Sequence, residues 1–199
     1  WDQQAYLSGD WRLATMRALH QVRPHERFVA SGVYEQLLDN HATGTKEHWS
    51  IYQLPDASQI IRVDHDARES AAKTSLLIEA LRNVDGQFER CDLRLYYPET
   101  HTMREVRATY NFVADSVEVM RGFNLNETVD EVVKLPDAAV VYLPAWIFSG
   151  HMVKEVTARK DNESLVFTSR IAEQYSAQLL SGIIEQQAAR FVRDDTITI

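Results

Sequence analysis

The chain has 199 residues, 45% of them hydrophobic, and a formal net charge of −8. That length suits one β-rich domain with an ordinary core, and no stretch approaches the ~18 apolar residues of a membrane helix. The acidic balance, with no basic run, excludes a surface built to wrap nucleic acid, since phosphate binding needs concentrated Lys and Arg.

The first segment, "SGDWRLATMRALHQV", is read two ways. Asp10 could cap a short helix near 10–20 that turns Leu13, Met16 and Leu19 inward, or Trp11, Leu13 and Thr15 begin a strand. Pro24 ends either element. "RFVASGVYEQLLDN" then has strand composition and closes on the turn-forming "DNHATG". "TKEHWSIYQL", the turn "PDAS" and "QIIRVDHDA" complete a three-strand meander. "KTSLLIEAL" and "QFERCDLRLYY" form the next pair, with Asp85-Gly86 supplying the turn.

"CDLRLYYPETHTMREVRATYNF" is expected to fold in half at "PETH". In that register Asp92 faces Arg107, Arg94 faces Glu105, Leu93 faces Val106 and Cys91 faces Ala108. One face then carries paired opposite charges and the other is apolar. The apolar set, including Leu95, Tyr110 and Phe112, is too extensive to remain in water, so something must cover it.

"DSVEVMRGF", "ETVDEVVKLP", "AAVVYLP" and "ESLVFTSR" continue the strand pattern. "AWIFSGHMVKEV", near 145–155, is either a short helix after Pro144 or an aromatic-lined loop. Over 171–191 the period changes: Ile171, Tyr175, Leu179, Ile183 and Phe191 recur near helical spacing, with Glu173 early and Arg190 late. This predicts a long C-terminal helix, against which Gly182 counts ~1 kcal/mol. The final "TITI" could pair as a last strand.

Few motifs carry chemistry. "ATGTKE" lacks the spacing of a phosphate loop, and neither a Gly-x-Ser-x-Gly elbow nor a His-Glu-x-x-His pair occurs. Asn126 and Asn162 open glycosylation-type tripeptides. The lone cysteine, Cys91, excludes an internal disulfide and reads as a small core residue. That usage fits a reducing compartment and makes the cytoplasm the expected location, while a start at Trp1 leaves export open.

Two candidate sites remain. If "PDAS" closes its hairpin symmetrically, His48 faces His65, with carboxylates nearby and His41 as a third candidate metal ligand. Two surface histidines at the open end of a hairpin are the plainer alternative. The second set is aromatic: Trp49, Tyr110, Phe112, Trp146 and Phe148 could line a cavity inside a curved sheet, although core packing explains the same residues.

"GVYEQLLDNHATGTKEHWSIYQLPDASQIIRVD" has the cadence of strand, "TG"-containing turn, strand, turn and strand. It resembles bacterial lipoprotein-carrier-like (lipoprotein localisation factor-like) half-barrel domains over residues 28–143. That resemblance implies an antiparallel half-barrel holding acyl chains in its concave face. "SGDW" is similar to the Gly-x-Trp that opens lipocalin-like barrels, a competing resemblance. Neither brings catalytic residues to carry over.

The expectation is therefore a mainly β chain forming a single domain over 1–199: one antiparallel meander curled into a half-barrel or barrel, with the C-terminal helix. The expected function is non-enzymatic binding of an apolar or amphipathic small molecule, lipid-like, in the concave face. A metal-dependent enzyme using His48 and His65, and a structural or protein-interaction module, are the alternatives. No cofactor is called for, and the oligomeric state is left open.

Overall fold

The computed structural model describes residues 15–16, 18–71, 73–98, 103–123, 127–158, 163–171 and 178–188. Eight strands follow one another as a continuous antiparallel meander. They are β1 (Arg27–Leu38), β2 (His41–Gln53), β3 (Gln59–Ala67), β4 (Thr74–Arg82), β5 (Phe88–Pro98), β6 (Met103–Val113), β7 (Ser116–Phe123) and β8 (Glu127–Lys134). β1 and β8 are the two edges, so the curled sheet is open rather than a closed barrel. A second sheet, in the order β11-β10-β9, consists of β9 (Val140–Val141), β10 (Glu163–Ser169) and β11 (Gly182–Ala188). Helix α1 (Trp146–Thr157) lies between β9 and β10 in the chain. No helix among the described residues is long and apolar enough to cross a membrane.

The turns follow local chemistry. Asp39 and Asn40 both take positive φ (50° and 62°), so a two-residue connection matches the twist of β1 and β2. Between β4 and β5, Asn83 accepts from the Gly86 amide and donates to the Gln87 carbonyl, while Gly86 sits at φ 83°. That is a three-residue loop with a left-handed last residue. The β2–β3 loop repeats it, with Leu54, Ala57 at φ 70° and Ser58 in the corresponding places.

This last loop corrects the first of two expected registers. Three loop residues replace the four of a symmetric "PDAS" turn, so Glu47 faces His65 and His48 faces Asp64. A slip of one residue reverses every side chain, which sends His48 and His65 to opposite faces. At the second hairpin the ladder ends at Pro98↔Met103, so Asp92 faces Thr109 and Arg94 faces Arg107. The expected pairing of Asp92 with Arg107 is thus displaced by two residues. A shift of two leaves each side chain on its expected face and changes only its partner. Asp92 accepts from Thr109 Oγ1 at 2.6 Å, and Arg94 reaches Glu105 diagonally at 3.7 Å.

The expected C-terminal helix is overturned over 182–188, which form β11 antiparallel to β10. Leu179 is buried, as expected, and Ile183 half-buried. In β11, Ile184 packs against the main core, Ile183 faces a cavity on the other side, and Glu185–Gln187 are exposed. Apolar residues on both faces remove the strand alternation that would have declared it. Gly182 is a close approach, since a Cβ there would lie 2.7 Å from the Phe167 ring. Residues 172–177, 189–191 and the "TITI" end lie outside the described residues, as do Asn126 and Asn162. The short helices fare better. Residues 15–16 and 18–19 are helical, and α1 matches the helical reading of "AWIFSGHMVKEV".

One core fills the space between the sheets. The inner face of the meander contributes Val63, Ile78, Leu93, Leu95, Val106, Ala108 and Tyr110, closed over by Leu143, Phe148, Phe167, Leu179 and Leu180. Cys91 is buried there, and burial pushes its thiol well above the ordinary range. The 178–182 segment is fastened by side chains from the sheet. Tyr110 Oη donates to the Leu180 carbonyl at 2.6 Å, Arg121 to the Leu179 carbonyl at 3.3 Å, and Glu131 accepts from the Gly182 amide at 3.0 Å.

The outer face holds a buried ionic cluster. Arg62, 2% exposed, donates to both oxygens of Glu26 (2.7 and 2.8 Å), to Glu79 (2.8 Å) and to the Gln21 carbonyl (3.1 Å). Its guanidinium also lies 5.1 Å from the Tyr52 ring centroid. Burial works to raise the Glu26 carboxyl, but hydrogen bonds from Arg62 and the Arg23 backbone, with both positive charges, hold it below its ordinary 4.5. A carboxyl depressed on folding stabilises the protein above its unfolded pKa, and that contribution disappears as pH falls through the folded value. Stability is therefore expected to drop as the solution is acidified below 4.5. Arg62→Ala, which strands a buried carboxylate, should cost ~3–5 kcal/mol in urea unfolding and flatten this acid dependence.

Candidate functional site

The site is built from the N-terminus of α1. Pro144 and the extended Ala145 lead into the helix, and Ala145 has no side chain to cap the amides that follow. The cap comes instead from Glu47, on β2. Its Oε2 accepts from the Trp146 amide at 2.8 Å and its Oε1 from the Ile147 amide at 2.9 Å, across 99 and 100 residues of sequence. Glu47 is fully buried, 0% exposed, and the helix dipole favours its charge.

The same carboxylate orients a histidine. His65, opposite Glu47 in the β2–β3 ladder, places Nδ1 3.1 Å from Glu47 Oε2. A carboxylate acceptor puts the proton on Nδ1 and leaves Nε2 as the nitrogen available to anything else. The Trp146 indole packs edge-on against the imidazole, ring centroids 4.7 Å apart. Beside this pair opens a cavity of ≈ 550 Å³. Its apolar lining includes Trp146, Pro144, Ile171 and Ile183, and its ionisable lining residues are His65, Arg170 and Glu185.

The five aromatic candidates separate. Trp146 lines this cavity, and the other four do not. Tyr110 is 0% exposed and committed to the Leu180 carbonyl, so its role is core. Phe148 is buried against Phe88, ring centroids 5.4 Å apart. Phe112 packs on Phe88 and Phe167 and borders a separate groove with His151. Trp49 stacks on Tyr34 near the β1 edge.

Of the two histidines proposed as metal ligands, His65 belongs to the site and His48 is exposed on the other face. The opposed pair is therefore not formed, and no group of three or more His, Cys, Asp or Glu suited to a metal ion occurs among the described residues. Arg170 carries no sequence signal, and Glu47 enters the sequence reading only as a carboxylate next to His48. The signal that could have found Glu47 is a lone acid in a strand facing inward, legible only once the register is known.

Glu47→Ala should orphan two helix amides and the imidazole Nδ1–H. Each stranded buried donor costs about 1–3 kcal/mol. The expected outcome is a large loss of stability together with faster hydrogen exchange at the Trp146 and Ile147 amides. A variant as stable as the parent, with unchanged exchange there, would contradict the assigned cap.

Comparison with protein-family models, with curated proteins and with solved structures finds no significant match for this chain, so the site's chemistry is read from its own geometry.

Proposed function

We propose that the protein binds an amphipathic small molecule, without chemistry, in the cavity beside Trp146 and His65. The observation that carries this reading is the cavity itself, ≈ 550 Å³ with both apolar and charged walls. That is the size and mixed lining of ordinary small-molecule sites. An indole offers an apolar surface, and the imidazole next to it is already oriented by a buried carboxylate. Preorganisation of this kind lowers the cost of binding.

The location differs from the one the sequence suggests. The apolar face of the β5–β6 hairpin is filled by the protein's own side chains, Leu93, Val106 and Tyr110 being 0% exposed. A ligand therefore belongs beside α1 and β11, at the rim of the core rather than beneath the sheet. The lining is also more polar than the aromatic pocket expected from "AWIF". The two-histidine metalloenzyme reading loses its support with the register.

Native mass spectrometry of the purified protein should show a bound small molecule. Titration with decanol or decanoate should shift tryptophan emission, and Trp146→Phe should abolish the shift while Trp49→Phe leaves it. A protein free of any co-purifying species, with emission unmoved by either amphiphile, would overturn the reading.

A further inference from the structure

We propose that the cavity selects amphiphiles ending in a carboxylate, with the head group held between His65 Nε2 and the Arg170 guanidinium. The chain would run over Trp146, Ile171 and Ile183. This rests on the cavity being a binding site, and it adds which molecules enter.

Three donors already converge on Glu47. Its two oxygens take the Trp146 and Ile147 amides and His65 Nδ1. It cannot compete for the ligand, and it fixes the imidazole so that Nε2 alone remains. No partner for Nε2 is found among the described residues. An acid with a neutral imidazole, or a carboxylate with an imidazolium, gives the same proton-sharing pair, and a carboxylate meeting the neutral imidazole takes up one proton from solvent on binding.

Arg170 supplies the second donor. It follows β10 directly, and its backbone amide bonds to the Ser181 carbonyl at 3.0 Å, which places it at the Ile183 end of β11. Its side chain bonds to the Gln178 amide oxygen, a neutral partner, and no carboxylate among the described residues pairs with it. A guanidinium fork that bonds only a neutral amide retains donors for a carboxylate.

The remaining charge opposes nothing at that end. Glu185 lies two residues beyond Ile183 on β11, one pleat period or about 7 Å farther along the strand. An acidic head group is thus drawn to the Arg170 end and repelled from the Glu185 end. The apolar side chains near Arg170 are Ile171 and Ile183, which suits a hydrocarbon chain continuing from the head group.

The test compares decanoate, decanol and decylamine by Trp146 emission on the full chain. Decanoate should bind about tenfold or more tightly than decanol, the scale of one charge-assisted hydrogen bond, and decylamine more weakly still. Arg170→Gln and His65→Gln should each bring decanoate toward decanol. Thermal unfolding identifies a variant that fails to fold, and Arg170→Gln, at the surface end of β10, serves if His65→Gln does. Equal affinity for decanoate and decanol, or a preference for decylamine, would overturn the carboxylate assignment and leave the cavity reading standing. Failure of all three to bind would overturn both.

Discussion

The molecule depends on one buried carboxylate. Placing Glu47 out of water is costly unless nearly every lone pair finds a donor, and here three donors from two separate elements converge on it. The helix needs the acid because Ala145 cannot cap it, and the acid needs the helix because no solvent reaches it. This mutual requirement seats α1 across the inner face of the meander. With α1 seated, Phe148 reaches the core and Trp146 stands against His65.

Both faces of the meander are occupied, by different means. The inner face is closed by apolar side chains of α1, β10 and the 178–180 turn, and three side chains of β6, β7 and β8 hold the backbone of the 178–182 segment. The outer face instead uses Arg62, whose five donors bring residues 21 and 26 onto the sheet. A filled inner face leaves no room for a chain inside the curl. The cavity beside the preorganised histidine lies instead among α1, the end of β10 and β11. Edge strand β1 is interrupted by two bulges, near Val29 and Gln36, a feature that discourages pairing with another chain even though Leu37 and Leu38 are exposed.

Much of this was legible locally. Alternating strands, the Asp85-Gly86 turn and the inward set on β5 and β6 all follow from period and turn chemistry, and all are found. The expected "DNHATG" turn shrinks to Asp39-Asn40, because His41–Gly44 already belong to β2. The register of β2 and β3 was not legible. The loops at 83–87 and 54–58 have the same hydrogen bonds, yet one carries glycine at its left-handed position and the other alanine. Glycine announces a left-handed residue, whereas alanine adopts one only under tertiary constraint. That single difference changes the loop from four residues to three and exchanges His48 for Glu47 as the partner of His65.

The sequence by itself determined the meander: which segments are strands, and which face of β5 and β6 is apolar. Those properties depend on period and are unaffected by a two-residue slip. It also determined that Cys91 is a core residue and that α1 can be a helix. Tertiary structure alone decided what covers the apolar face, the fate of residues 182–188 and the composition of the site. Each of these rests on contacts across tens of residues, such as the 99 between Glu47 and Trp146, for which local pattern carries no signal. A short strand with adjacent isoleucines on opposite faces and a run of exposed polar residues has no alternation to display, and a helix capped by a distant strand shows no capping residue of its own.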